Sequence, residues 1–307
     1  MEFETLENPP QVVFEQIVRW TGETEDWAFQ LNDYQFWSTN FNKFWLFTVV
    51  EKGTTTLVAS ISLARSDVPN DTPLYSIGMF YCVPKYRGQS HGRPLFDKVM
   101  QIVGNDNATL TGVVKMSDKY AKVFGFDKVP PFWHIFSSIN MEDLVIPNVS
   151  SEVYGTKDLS DVDADQLHAY DSTICTRNRR SIQTAWLKLE NTFTKVVLDT
   201  RTNKIVGYST IRIVTRNKLS VAPFYADNLE SARVLFASLL HHIPLVTSFV
   251  SIGFLHPEIN EDALRLLREF SKNVHSAPFV KSQFTKTFID SPHEKVYSMT
   301  DCAHQYV

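Results

Sequence analysis

Hydrophobic and polar positions alternate clearly in the first part of the chain. Apolar alternation with β-branched and aromatic residues predicts strands at Phe44–Val50, Thr56–Leu63 and Tyr75–Val83. Turn-forming residues separate the three segments, so they predict an antiparallel meander. After Gly92, apolar residues recur at helical spacing from Leu95 to Val103. The pattern therefore predicts a helix directly behind the third strand.

The second half of the chain repeats this order of elements with little identity. Strands are predicted at Phe193–Leu198, Ile205–Val214 and Leu219–Tyr225. A strongly apolar helix is predicted from Leu229 to about His241, with Asp227 as its N-cap. A repeated order of elements at low identity indicates an old duplication or fusion of one module.

A polar, proline-containing segment between Ile139 and Glu152 separates the two halves. We predict one domain over residues 1–142 and a second over residues 143–307. The expected fold class is α/β (α+β), with a mixed, mostly antiparallel sheet flanked by helices in each domain. One continuous sheet in a single domain stays open as the alternative.

Composition and charge narrow the classes of function. Of the 307 residues, 43% are hydrophobic and 21% are charged, which is typical of a folded globular protein. The formal net charge of −4 provides no global positive field, so a nucleic-acid partner is not expected.

The cysteines and the amino terminus bear on the compartment. Cys82, Cys175 and Cys302 lie far apart and are odd in number, which fits a reducing compartment and offers no zinc spacing. The amino terminus is acidic and lacks the apolar core of a signal peptide. No stretch reaches the roughly 18 apolar residues that a membrane span needs. We predict a cytoplasmic protein without a metal or a membrane partner.

A glycine-containing turn joins the third predicted strand to the helix and reads VPKYRGQSHGRPLF, Val83–Phe96. Such a turn can point several backbone N–H groups at one spot, and the helix start adds partial positive charge. Gly88 and Gly92 lack the Cβ atoms that would block close approach, and Arg87 offers a cationic fork to a phosphate oxygen. The turn is a candidate phosphate-binding loop, with an ordinary surface turn as the alternative.

This segment resembles the strand-to-helix turn of the GCN5-related N-acetyltransferase (GNAT) superfamily, whose hallmark is Q/R-x-x-G-x-G/A. Arg87 and Gly92 match the pattern, and Ser90 stands where the family has its first glycine. Serine keeps the backbone N–H donor but restricts the positive φ that glycine allows. The resemblance implies that acetyl-coenzyme A is the cosubstrate and that its pyrophosphate lies on this turn. The implied contacts are Tyr81, Cys82, Val83, Arg87, Gly88, Gln89, Ser90, His91, Gly92 and Arg93.

A second segment, SDKYAKVFGFDKV at Ser117–Val129, resembles the family's S-x-x-L-Y-E-K-L-G-F. Gly125 and Phe126 match its last pair. The family's proton-donating tyrosine falls on Ala121, and Tyr120 lies one position earlier, about 100° around a helix. Tyr120 is therefore the candidate acid for the leaving thiolate, with a packed aromatic residue as the alternative.

The base and the acceptor site are less marked in the sequence. Many family members use a glutamate on the last strand of the meander, and the corresponding LYSIGMFYCV contains no carboxylate. His91 titrates near neutral pH and is the candidate base, with a surface residue at the helix start as the alternative. The aromatic segment Asp26–Phe47 lies where the resemblance implies the acceptor-binding loop. Within it, Tyr34 and Trp37 are predicted to bind the acceptor.

The second half, through LSVAPFYADNLESARVLFASLL at Leu219–Leu240, resembles the second domain of YitH/HolE-type tandem acetyltransferases. It has no R-x-x-G-x-G before its helix, so a second coenzyme site is not predicted. The leading interpretation is an N-acetyltransferase that acts on a small amine or a peptide lysine. The alternatives are a non-catalytic coenzyme-binding or interaction protein of the same fold and an enzyme for longer acyl groups, and a homodimer stays open.

Overall fold

The computed structural model describes residues 2–68 and 71–304, which form eight α-helices and a sheet of 13 strands. The helices are α1 (Gln11–Glu25), α2 (Asp33–Asn40), α3 (Gly92–Val103), α4 (Val114–Phe124), α5 (Ala164–Ile174), α6 (Arg180–Trp186), α7 (Leu229–His242) and α8 (Glu261–Glu269). The first six strands are β1 (Phe3–Glu7), β2 (Lys43–Glu51), β3 (Leu57–Ser66), β4 (Leu74–Cys82), β5 (Asn107–Val113) and β6 (His134–Asn140). The others are β7 (Tyr154–Asp158), β8 (Thr192–Asp199), β9 (Ile205–Val214), β10 (Lys218–Ala226), β11 (Ser251–Pro257), β12 (His275–Phe284) and β13 (Val296–Ser298).

Both predicted meanders are confirmed. β2, β3 and β4 pair antiparallel in sequence order, and β8, β9 and β10 do the same. Each meander is followed by an apolar helix, α3 or α7, that packs on its sheet. The cap of α7 differs from the prediction, because the side chain of Asn228 accepts from the backbone N–H of Ser231 and Asp227 does not cap the helix.

The strands of both halves form one continuous, mostly antiparallel sheet, and the domain boundary at residue 142 remains a prediction. Its order is β1-β2-β3-β4-β5-β12-β6-β11-β10-β9-β8-β7, and β13 pairs with β10 beside this path. Among these pairs, β4 with β5 and β10 with β11 are parallel. The sheet therefore continues across the link near residues 141–152, where the chain passes from one half to the other.

The two halves exchange one strand each, β6 and β12. β6 belongs to the first half, yet it pairs with β11 and β12 of the second half. β12 belongs to the second half, yet it pairs with β5 and β6 of the first half. The result is a symmetric order in which each half inserts one strand into the sheet of the other.

Each half also contains a point where two parallel strands separate. β4 and β5 pair only as far as Ile77 and Leu110 and then diverge. β10 and β11 pair only at Leu219–Ser220 and Ile252–Gly253 before they diverge. We call the first of these openings the fork, and a cavity lies beside it.

Candidate functional site

A cavity of about 660 Å³ lies beside the fork, among β4, β5, α3, α4 and the end of α1. Volumes of about 300–1,000 Å³ are usual for small-molecule sites. The strands contribute mainly apolar and aromatic side chains: Ile77, Met79, Phe80, Tyr81, Leu110 and Val113. The charged residues in the wall are Glu25, Arg87, Arg93, Lys115 and Lys119. Four cations and one carboxylate make this wall suitable for an anionic ligand.

A β-bulge shapes the β4 side of the cavity. Ser62 pairs with Gly78 and Ser60 pairs with Tyr81, so two residues of β4, Met79 and Phe80, oppose one residue of β3. Met79 has a φ of +48°, which is unusual for a residue other than glycine. Bulges of this kind redirect the backbone and occur often beside active sites.

The turn between Arg87 and Gly92 has the conformation that a phosphate-binding loop needs. Gly88 has a φ of +81°, and Ser90 has a φ of +63°. Ser90 thus takes the left-handed conformation that serine was expected to resist. Among the described residues, the backbone N–H groups of Ser90 and His91 have no hydrogen-bond acceptor. The helix α3 begins directly after them, at Gly92. These donors and the helix start lie at one wall of the cavity.

Arg87 is held at the cavity by two contacts. Its Nη2 donates to Oε1 of Glu25 at 2.8 Å, and its Nε donates to the carbonyl of Cys82 at 2.9 Å. Nζ of Lys115 donates to the other oxygen of Glu25 at 2.9 Å. Burial alone would raise the pKa of Glu25, but Lys115 and Arg87 outweigh it and lower that pKa. Glu25 therefore stays ionised and neutralises part of the cationic wall.

Eight of the ten predicted cosubstrate contacts line the cavity. The exceptions are Val83 and Gln89. Val83 is 1% exposed and donates its N–H to the carbonyl of Val58. The side chain of Gln89 turns outward and donates to the carbonyl of Lys85. That the other eight contact a cosubstrate remains a prediction.

Tyr120 lies in the cavity wall and is 6% exposed. Its ring stacks on Phe96 at 5.7 Å, so it is also a packed aromatic residue, as the alternative expected. Among the described residues, no hydrogen-bond partner is found for its hydroxyl. Burial raises the pKa of this hydroxyl far above its ordinary value, so it stays protonated. Tyr120 can donate a hydrogen bond into the cavity at any ordinary pH.

His91 also lines the cavity, but it lies in the turn at the start of α3. Its ring packs against Phe3 at 4.5 Å and Tyr86 at 6.1 Å. Its Nε2 is buried, and no partner for it is found within residues 2–68 and 71–304. The structure thus places His91 in the turn before α3, and its role as a catalytic base remains a prediction.

Tyr34 and Trp37 do not line the cavity, and their predicted contact with the acceptor is not supported. Trp37 is 1% exposed and donates Nε1 to Asp301 at 2.9 Å. The hydroxyl of Tyr34 donates to the carbonyl of Pro9. The aromatic segment does reach the cavity, but through Trp27 and Phe29, which sequence reasoning missed.

The hairpin between β9 and β10 holds the segment that carries Trp27 and Phe29. The N–H of Thr215 donates to the carbonyl of Phe29 at 3.0 Å. Asp26 forms ion pairs with Arg216 and with Lys218, whose Nζ lies 2.8 Å from Oδ1. The second half of the chain thus fixes a wall of the cavity in the first half.

The corresponding opening in the second half is filled by the chain itself. β13 pairs with β10 where β10 has left β11. The backbone N–H of Leu255 donates to the hydroxyl of Ser298 at 3.0 Å, and that of Met299 donates to the carbonyl of Leu255 at 2.8 Å. A second ligand cavity of the same kind is therefore blocked at this position.

Family models match both parts of the chain. A family described as protein of unknown function, DUF1248, matches residues 1–174, more than half of the chain. The chain belongs to the DUF1248 family. A second model, described as an acetyltransferase (GNAT) domain, matches residues 167–280 of the DUF1248 protein. The resemblance to the GNAT superfamily is thereby confirmed.

One relative and two solved structures are similar to the DUF1248 protein in sequence or in fold. Uncharacterized protein F36G3.2 of Caenorhabditis elegans is 31% identical over 163 residues, so the chain spans about half the length of this relative. A candidate acetyltransferase from Pyrococcus horikoshii has a TM-score of 0.71 at 13% identity, covering 99% of this chain and 96% of the other. A tandem GNAT protein of the clavulanic acid pathway has a TM-score of 0.66 at 12% identity, covering 92% and 97%. The DUF1248 protein has the tandem GNAT fold.

The described residues of the DUF1248 protein contain neither a membrane-spanning helix nor a metal-binding cluster. None of the helices has both the length and the apolar character to span a membrane. No cluster of three or more histidine, cysteine, aspartate or glutamate residues in residues 2–68 and 71–304 is arranged to hold a metal ion.

Proposed function

We propose that the first half of the DUF1248 protein binds acetyl-coenzyme A in the cavity beside the fork and transfers its acetyl group to an amine. The observation that carries this proposal is the turn from Arg87 to Gly92. It combines two left-handed residues, backbone N–H groups without an acceptor among residues 2–68 and 71–304, and a helix start with a cationic cavity wall.

The residues present fit this cosubstrate. The N–H groups of Ser90 and His91 and the guanidinium of Arg87 are suited to phosphate oxygens. Glycine at position 92 lets the turn pack closely against Phe80, because a Cβ there would lie 3.0 Å from the Phe80 ring. Lys115 and Lys119 are four residues apart on α4, so they present two cations on the same face.

Acetyl-coenzyme A would supply an activated thioester, and the cavity wall supplies hydrogen bonding. The hydroxyl of Tyr120 can donate to the departing sulfur, because it is protonated and has no partner among the described residues. The bulge at Met79 and Phe80 interrupts the ladder between β3 and β4 in the cavity wall, and a backbone N–H there is the type of donor that stabilises a developing carbonyl oxygen charge. Glu25 is a weak base because its pKa is lowered, so the amine is expected to lose its proton to water.

Calorimetric titration with free coenzyme A and with acetyl-coenzyme A tests the proposal. We expect saturable binding of both by the wild type. Arg87→Ala should lower the affinity for both ligands about 10-fold or more, since it removes a charge-assisted contact of about 1.5–3 kcal/mol. Gly92→Val should have a similar effect, because its side chain occupies the space between the turn and Phe80.

Arg265→Ala is the matched control, since Arg265 is an exposed arginine on α8 paired with Asp262. It should leave binding unchanged. Absence of coenzyme binding by the folded wild type would refute the proposal. Binding without acetyl transfer to any of a panel of small amines and lysine peptides would favour the non-catalytic alternative.

A further inference from the structure

The chain segment of residues 299–304 leaves the second half and crosses the fork. At the β5 side, the hydroxyl of Thr111 donates to the backbone carbonyl of Cys302. At the β4 side, Gly78 touches the segment so closely that a Cβ there would lie 2.5 Å from the carbonyl oxygen of Ala303. The segment therefore bridges the two strands just beyond the point where they separate.

The 299–304 segment is anchored on both sides of this crossing. Asp301 accepts from Nε1 of Trp37 at 2.9 Å and from the backbone N–H of Ala303 at 2.8 Å, which forms a tight turn around Cys302. His304 shares a 2.9 Å hydrogen bond between its Nε2 and the hydroxyl of Ser62. Three aromatic rings pack around the imidazole of His304: Trp37, Phe41 and Phe44.

Cys302 and Ala303 line the cavity. The fork opens at Ile77, and the anion-binding turn follows Cys82 at the other end of β4. Five residues separate these points along the strand, or roughly 16 Å at the usual rise. The cavity thus runs from a cationic end at the turn to an apolar end at the fork.

We propose that Cys302 and Ala303 form the end wall that receives the acyl group and restricts it to a short chain. This inference rests on the proposed function, which puts the phosphates at the turn and so directs the thioester toward the fork. The neighbouring wall residues Leu110 and Val280 are buried and apolar, so a longer acyl chain would meet packed side chains.

An apolar pocket that lacks room for one methylene discriminates by about 10- to 200-fold. The wild type should therefore bind acetyl-coenzyme A at least 10-fold more tightly than butyryl-coenzyme A. The second half of the chain would then determine the acyl specificity of a site in the first half.

Calorimetry with free, acetyl-, propionyl- and butyryl-coenzyme A tests the inference without an acceptor. Cys302→Ala should open the end wall and reduce the preference for acetyl over butyryl by about 10-fold. Cys302→Leu should fill the end of the cavity. The affinity for acetyl-coenzyme A should then fall 10-fold or more, and the affinity for free coenzyme A should fall much less. Cys302→Ser conserves the size of the side chain and should keep the wild-type order of affinities.

Binding of free coenzyme A distinguishes a failure of the proposed function from a failure of this inference. If the wild type does not bind free coenzyme A, the proposed function fails and this inference fails with it. If free coenzyme A binds normally to all variants but their preference for chain length equals that of the wild type, the end wall is assigned wrongly and the proposed function stands. A loss of free coenzyme A binding in the Ser variant would also overturn the inference, since it would show that residue 302 acts at the coenzyme rather than at the acyl group.

Discussion

Arg87 and Glu25 are joined by a 2.8 Å hydrogen bond in the wall of the cavity, and Glu25 simultaneously binds Lys115. The carboxylate of Glu25 thus forms ion pairs with Arg87 and Lys115, the cations that we propose to bind phosphate. Ligand binding has to replace these contacts with contacts to phosphate oxygens. The affinity of the site then depends on a competition between an internal and an external anion.

Removal of the internal anion should strengthen coenzyme binding. Glu25→Gln keeps the shape of the side chain but releases Arg87 and Lys115 from a partly exposed ion pair. Such pairs contribute up to about 1 kcal/mol, so the affinity should rise about two- to fivefold in calorimetry. Glu269→Gln, which disrupts the pair with Arg233 on another surface, serves as the control. Weaker binding by Glu25→Gln would instead show that the carboxylate orients Arg87.

Ser90 should be a position where glycine is preferred. A left-handed conformation costs a residue with a Cβ about 1 kcal/mol or more, and glycine avoids that cost. Ser90→Gly should therefore raise the free energy of unfolding by up to about 1 kcal/mol, measured as a higher urea midpoint, and keep coenzyme affinity. Ser90→Val should lower both, because a β-branched residue tolerates positive φ poorly. Equal urea midpoints for the two variants would contradict this account.

Much of the site could be predicted from local sequence signals, and the rest could not. The turn and α3 follow from glycines, an arginine and helical periodicity, whereas the candidate position of Tyr120 comes from the resemblance of Ser117–Val129 to the GNAT segment. The roles of Trp27 and Phe29 depend on a hairpin almost 190 residues later, and local sequence carries no sign of that contact. The strand exchange was equally hidden, because alternation predicts a strand without specifying its neighbours.

The pH dependence of stability should reveal Asp301. Burial and the nearby carboxylate of Asp33 raise its pKa to about 6, from 3.8. A raised pKa means that the folded state holds the proton more tightly. The contribution of Asp301 to the free energy of unfolding is therefore fully present below about pH 4 and is lost as the pH rises through 6.

Urea unfolding at several pH values checks this expectation against Asp301→Asn, which does not titrate. Between pH 4 and pH 6.5, the free energy of unfolding of the wild type should fall by about 2–3 kcal/mol relative to that of the variant. The difference removes contributions from all other carboxylates, several of which have lowered pKa values and act in the opposite direction. Parallel pH profiles would show that Asp301 is ionised throughout.

The hairpin contact should control the mobility of the cavity wall. Burial alone would raise the pKa of Asp26, but Lys218 and Arg216 lower it, so Asp26 is charged at neutral pH and its ion pairs are intact. Asp26→Asn should increase amide hydrogen exchange in residues 27–31 severalfold, with a loss of about 1 kcal/mol or less in global stability. Asp262→Asn, which removes an exposed ion pair on α8, should leave amide exchange in residues 27–31 unchanged. Unchanged exchange in Asp26→Asn would indicate that the backbone contact of Thr215 is sufficient.

The exchange of β6 and β12 has a consequence for how this chain can be divided. Both neighbours of β6 come from the second half, and both neighbours of β12 come from the first. A cut in the link at residues 141–152 would leave two fragments, each with one strand, β6 or β12, whose hydrogen-bond partners lie only on the other fragment. Their reassembly would then be bimolecular and dependent on concentration. The covalent link converts what is otherwise an association of two interlocked subunits into a single folding reaction.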